Sequence, residues 1–131
     1  MNRRELREQI FKMLFRIEFH DEASMKEQFE LSAEEVAKAT PENQSYMEKK
    51  CEDVMNRLSD IDALINEASH GWKTSRMGKV DLTLIRLAVY EMKYEDEIPV
   101  GVAINEAVEL AKKYGTDESS SFVNGILAKI A

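Results

Sequence analysis

The sequence predicts an all-α protein, and three observations carry that prediction. Glycine and proline, which interrupt helices, number only 5 and 2 in 131 residues. Apolar residues recur at intervals of three and four along most of the chain, the period of one helix face. No segment reads as a strand, because apolar and polar residues do not alternate between turn signals.

A first helix is expected over residues 3–19. Leu6, Ile10, Met13, Leu14 and Ile17 line one face, and Phe11, Phe15 and Phe19 form a second stripe at intervals of four. Two stripes bury a helix over a wide arc, leaving Arg3, Arg4 and Arg7 at an exposed N-terminal end. His20-Asp21-Glu22-Ala23 reads as a loop. Ser24 and Glu27 then have the spacing of a capping box, in which hydroxyl and carboxylate each satisfy a free backbone N–H. The second helix, to about residue 38, is apolar only at Met25, Phe29, Leu31 and Val36, so it is expected on the surface. Thr40-Pro41 opens a third helix, with proline suited to the first turn.

Met47, Cys51, Val54, Leu58, Ile61, Ile65 and Ala68 alternate in steps of four and three, a heptad seam. Two structures satisfy it: a coiled-coil dimer, or a core-facing strip or antiparallel hairpin within one chain. With only about three heptads, the intramolecular strip is preferred. Ser59 and Asp62 mark a place where the strip could break into two helices. Gly71-Trp72 ends this segment, and residues 74–78 form a turn. The next helix runs over residues 81–94, with Asp81 as its N-cap and Leu84, Ile85, Ala88, Val89 and Met92 on its buried face. Residues 95–99 are a loop. A helix over 102–114 ends at Gly115, expected in the left-handed position beyond a helix end. The last helix covers 119–130. Asn124-Gly125 lacks the flanking strands of a hairpin turn. No linker divides the chain, so a single domain over residues 1–131 is expected.

Apolar residues make up 44% and charged residues 33%, suiting a water-exposed globular domain. No uncharged stretch approaches the roughly 20 apolar residues a membrane span needs. The N-terminus runs straight into a charged helical pattern and lacks the apolar stretch of a signal peptide. Cys51, the one cysteine, has no partner for an internal disulfide and sits among apolar residues. A buried thiol and a cytoplasmic protein are expected.

The formal net charge is −7, unevenly spread. Residues 1–17 carry Arg3, Arg4, Arg7, Lys12 and Arg16 against Glu5 and Glu8, a local +3. Residues 18–67 sum to −9 and residues 68–131 to −1. A polyanion could be held only locally, with the acidic middle repelling it elsewhere. From charge alone the basic end is either such a site or a solvated, frayed terminus.

The inventory for catalysis is poor. His20 and His70 are far apart in sequence, and Cys51 lies in the apolar seam, where a thiol is inert. No zinc-ligand spacing, glycine-rich phosphate loop or nucleophile elbow is present. Asp96, Glu97, Glu106 and Glu109 read as a solvated helix face rather than a metal cluster. No catalytic residue, cofactor or metal is expected. Composition and spacing alone support a helical interaction domain.

The C-terminal third carries a resemblance. Ile85-Arg86-Leu87-Ala88-Val89-Tyr90-Glu91-Met92 resembles the LRLALYEL segment of the NusB family. Ile98-Pro99 followed by Val102-Ala103-Ile104-Asn105-Glu106-Ala107-Val108-Glu109-Leu110-Ala111-Lys112 is similar to its IP..VAINEAVELAK signature. Lys113-Tyr114-Gly115-Thr116-Asp117 and Phe122-Val123-Asn124-Gly125-Ile126-Leu127 resemble KYGTD and FVNGVL. Arg3-Arg4, Arg7-Glu8 and Met13-Leu14-Phe15 resemble the family's opening, and Ile61-Asp62 and Trp72 fall in family-like places. The similarity spans the chain, strongest over residues 80–127 and weakest over 18–57.

The resemblance implies about seven helices in two small packed subdomains. It implies an antitermination factor that binds boxA RNA in the leaders and spacers of ribosomal RNA transcripts. Its implied partners are NusE, a small-subunit ribosomal protein, and the antitermination complex on RNA polymerase. By the same resemblance Arg3, Arg4 and Arg7 contact phosphates, with Lys112 and Lys113 adding to them. Tyr114 and Phe122 stack on unpaired bases, the usual mode for single-stranded RNA, and Glu118 and Ser119 complete the RNA-facing positions. For each ring ordinary core packing is the competing role. Asp81, Glu91 and Tyr94 are assigned to the NusE face. The chain departs from the family at Glu118-Ser119, where Asp-Ser is usual, at Ser121, where Lys is frequent, and at Leu82, where Arg is frequent. Lower or more partner-dependent RNA affinity is expected from these changes. Two other functions fit less well. One is the NusB-like accessory domain of a ribosomal RNA methyltransferase, which needs a catalytic domain beyond Ala131. The other is an RNA-independent helical adaptor, which leaves the N-terminal arginines unexplained.

Overall fold

A computed structural model describes residues 1–19 and 36–131, and every regular element among them is helical. The helices are α1 (Arg3–Glu18), α2 (Pro41–Asn56), α3 (Leu58–Ala68), α4 (Lys79–Tyr94), α5 (Val100–Tyr114) and α6 (Ser119–Ile130). A 3₁₀ turn covers Thr74–Arg76. The capping box expected at Ser24 and Glu27, and most of the helix it would start, lie outside the described residues. The chain divides into two compact units, Met1–Met55 and Asn56–Ala131. No helix among the described residues is long and apolar enough to cross a membrane.

In the first unit, the Asn2 side chain caps α1 by accepting the Glu5 N–H at 2.8 Å. Leu6, Ile10, Phe11, Leu14 and Phe15 are buried. The aromatic stripe is continuous, with ring centroids 6.3 Å apart for Phe11–Phe15 and 5.3 Å for Phe15–Phe19. Two expectations for α1 need correction. Ile17 is 52% exposed and lies outside the core. Arg7 is only 8% exposed, not at an open end. It precedes Ile10, Phe11 and Leu14 by three, four and seven positions, so the helical period puts it on their face.

Helix α2 starts as expected, with Pro41 in its first turn and Thr40 Oγ1 accepting the Asn43 N–H at 3.2 Å. Met47, Cys51 and Val54 are buried along it. Cys51 Sγ lies 3.9 Å from the Ile10 carbonyl oxygen, linking α2 to α1. Burial pushes the thiol from an ordinary 9.0 up to about 12, outweighing the nearby positive charges of Arg16 and Lys50.

The seam breaks at Arg57, two residues before Ser59, and α3 begins without a side-chain cap. Met47, Cys51 and Val54 lie on α2 and Ile61 and Ile65 on α3, all buried within one chain. Each stretch faces the core of its own unit, and neither forms an exposed coiled-coil seam. Leu58 and Ala68, the end residues of α3, are only half-buried.

In the second unit α3, α5 and α6 all pack against α4. Every residue of α4 over 82–91 is buried, the signature of a central helix. Helix α4 begins at Lys79 with Gly78 as N-cap, so Asp81 lies inside the first turn and is not the cap. Its carboxylate still complements the positive helix end there. Arg86 forks onto Asp62, Nε to Oδ1 at 2.9 Å and Nη2 to Oδ2 at 2.8 Å, joining α4 to α3. Ala103, Ala107 and Ala111 bring α5 close to its neighbours. Gly115 is extended (φ −94°, ψ −164°), not left-handed. Space is what requires glycine there: a Cβ would collide with the Ser119 side chain and lie 2.8 Å from the Ala111 carbonyl oxygen. Asn124-Gly125 sits inside α6, as its helical surroundings required.

Candidate functional site

The expected contact residues fall into three groups, one in the first unit and two in the second. On α1, Arg3 and Arg4 are exposed. Two cations at the positive end of a helix dipole weaken the helix locally. The same arrangement, added to free backbone N–H groups, makes this end attractive to anions. Arg7 does not join them, since its side chain is folded into the buried face.

The second group lies at the corner between α5 and α6. Lys112 and Lys113 are exposed in the last turn of α5. Lys112 Nζ reaches Glu109 at 3.2 Å, an open pair of little energetic weight. Lys113 Nζ lies 5.4 Å from the centroid of the half-buried Tyr114 ring. The corner is held by Ser119, whose hydroxyl accepts the Thr116 N–H at 2.9 Å. Ser119 is 2% exposed, so its position supports the corner instead of facing a ligand. Glu118 and Ser121 are exposed and Phe122 is half-buried. Against Phe122 stands Trp72, 56% exposed, its ring edge-on with centroids 6.0 Å apart.

Trp72 is fixed by its turn. The Ser69 hydroxyl donates to the Trp72 carbonyl, and the Trp72 N–H donates back to the Ser69 carbonyl at 3.3 Å. Between them His70 and Gly71 both have positive φ, 42° and 99°, the pattern of a type I′ turn. Trp72 is not among the contact residues expected from the sequence. The signal was available: it is the one tryptophan, beside a glycine, in a stretch without acids.

The third group lies on α4. Asp81 is half-buried in the first turn. Tyr94 is half-buried, with the Arg57 guanidinium carbon 4.2 Å from its ring centroid and Tyr90 stacked at 5.6 Å. Glu91 is 1% exposed and cannot present itself on a partner face. It follows Leu84, Leu87 and Ala88 at helical spacing, so the period that buries them buries it too. Among the described residues no three His, Cys, Asp or Glu side chains are grouped to hold a metal.

Comparison with known proteins places this geometry. The family model described as "NusB family" matches residues 4–131. The chain belongs to the NusB family. A relative from Agathobacter rectalis, named Transcription antitermination protein NusB, is 58% identical over 131 residues, covering all of both chains. The structure is similar to T. maritima NusB, with a TM-score of 0.84, 37% identity and coverage of 100% of this chain and 91% of that one. It is also similar to a chain in a crystal structure of the antitermination factors NusB and NusE with dsRNA. The TM-score there is 0.79 with 26% identity, over 98% of this chain and 94% of that one. Leu82, expected to stand where arginine is frequent, is 5% exposed and serves the core.

Proposed function

We propose that this chain is a transcription antitermination factor that binds boxA RNA of ribosomal RNA transcripts together with NusE. In this reading it works in the cytoplasm, on the antitermination complex of RNA polymerase, and supports transcription and processing of ribosomal RNA. It binds and does not catalyse. The observation that carries the reading is the full-length identity of 58% to a protein bearing that name. A similar fold solved with NusE and double-stranded RNA supports both partners.

Arg3 and Arg4 contact phosphates from the first unit. Lys112 and Lys113 do so from the second, beside the rings of Tyr114 and Phe122. Asp81 and Tyr94 belong to the NusE face, while Arg7, Ser119 and Glu91 hold the helices that carry these groups. Residues 1–131 act as one binding domain. Few phosphate contacts on a chain of net charge −7 make RNA binding weak at physiological salt. A basic ribosomal partner adds the missing charge. Titrating boxA RNA with and without NusE at fixed salt tests the reading. RNA affinity should rise about 5- to 150-fold with NusE, the range of linked binding sites. Equal affinity in both titrations rejects the cooperative mechanism.

A further inference from the structure

We propose that Trp72, displayed beside Phe122, is a stacking platform for an unpaired RNA base, with Lys73 and Arg76 holding the adjoining phosphates. The proposal rests on the RNA-binding reading and extends it to residues not assigned there. Four observations converge within the second unit. Trp72 is the largest side chain available and is 56% exposed, where ordinary packing would bury it. Its ring meets Phe122 edge-on, so one face stays available beside a second aromatic. The backbone is fixed by two hydrogen bonds across a turn whose non-glycine residue His70 stands at φ 42°. A strained turn that displays an exposed ring is pre-organised for a ligand, and strain of this kind gathers at binding sites.

The fourth observation selects the ligand. Residues 68–80 contain Lys73, Arg76 and Lys79 and no Asp or Glu, a local +3 in a chain of net −7. Lys73 and Arg76 are exposed, and neither pairs with an acid among the described residues. The acids of the neighbouring corner, Asp117 and Glu118, precede α6 and lie outside this segment. An aromatic face bordered by cations matches a single-stranded nucleic acid, where bases stack and phosphates pair. A protein partner would more often meet a flatter apolar patch, whereas the exposed near neighbours of Trp72 in the chain, His70, Lys73 and Ser75, are polar.

Trp72 is the one tryptophan, so the intact chain reports on it directly. The experiment titrates the full chain with a single-stranded boxA oligonucleotide, following tryptophan emission and, separately, anisotropy of labelled RNA. Emission should be quenched with the same midpoint as the anisotropy. Trp72→Ala should weaken binding about 5- to 150-fold, the contribution of one base stacked on a ring, and Trp72→Phe should retain most affinity. Lys73→Ala with Arg76→Ala should lower the log–log salt slope by about 1.4, at about 0.7 per phosphate. Anisotropy that rises while emission stays constant overturns the platform and leaves the RNA-binding reading standing. No anisotropy change, with or without NusE, overturns both. Emission that changes with NusE alone, and no further with RNA, assigns the ring to a protein interface and overturns the proposal. Because the emission measurement needs no substitution, it decides the matter even if Trp72→Ala folds poorly.

Discussion

Cys51 shows how much one atom's surroundings determine. Its thiol holds its proton more tightly than an ordinary thiol, its pKa raised from 9.0 to about 12 by burial against α1. The unfolded chain releases this proton near pH 9.0, while the folded chain retains it to about pH 12. The stability it contributes is therefore complete below pH 9.0 and is lost as pH climbs from there toward about 12. Within that window the loss approaches about 1.4 kcal/mol per pH unit. Urea unfolding at pH 8.5, 9.5 and 10.5, compared with Cys51→Val, isolates the effect, since the other titrating groups are common to both. Parallel pH curves for the two proteins would exclude it. Two glycines make a related point about causes. Gly71 has open space where a Cβ would stand and needs glycine for its φ of 99°. Gly115 has an unremarkable φ and needs glycine because Ser119 and the Ala111 carbonyl already fill that space.

At the level of elements, α1 combines a buried aromatic stripe with a charged tip, and its arginines divide accordingly. Replacing Arg3 and Arg4 with Ala should lower the log–log salt slope of RNA binding by about 1.4, at about 0.7 per contact, with little change in the urea midpoint. Arg7→Ala should do the reverse, because its loss removes buried packing along with charge. A slope unaffected by the double substitution removes the tip of α1 from the RNA site. Helix α3 gives a second contrast. Ile61 is fully buried and Leu58 only half so. Ile61→Ala should cost about 2–5 kcal/mol, and Leu58→Ala about 1 kcal/mol, because part of that side chain already meets water. Equal urea midpoints for the two variants would contradict the burial described. Most helices were legible beforehand because period 3.6 survives single exceptions: α6 runs over the residues expected, and α5 starts two residues early. What stayed hidden were polar residues on apolar faces. Arg7, expected at an exposed helix end, and Glu91, assigned to the NusE face by resemblance, are both charged, yet their spacing from Ile10 and Ala88 already puts them inside. The Arg86–Asp62 fork was equally invisible, because nothing in the sequence joins residues 24 positions apart. Boundaries slipped where no side chain marks them, as at Gly78 and Arg57, neither of which makes a side-chain cap hydrogen bond.

For the molecule as a whole, charge is arranged more tellingly than it is summed. The net −7 conceals a basic first segment and the acid-free stretch 68–80. If NusE supplies the remaining positive charge, linkage requires RNA to tighten the protein pair by the same factor that NusE tightens RNA. Asp81→Lys should then weaken NusE binding and abolish this coupling while leaving RNA affinity without NusE nearly unchanged. A large loss of RNA affinity in that variant alone would place Asp81 in the RNA site instead. The buried thiol has one more consequence, at the bench. Nothing on the folded surface can form a disulfide, so the protein should remain a single covalent species in air. Each crosslinked dimer seen on a non-reducing gel would then record two molecules that had opened, and counting such dimers over days of storage would measure how often the first unit comes apart.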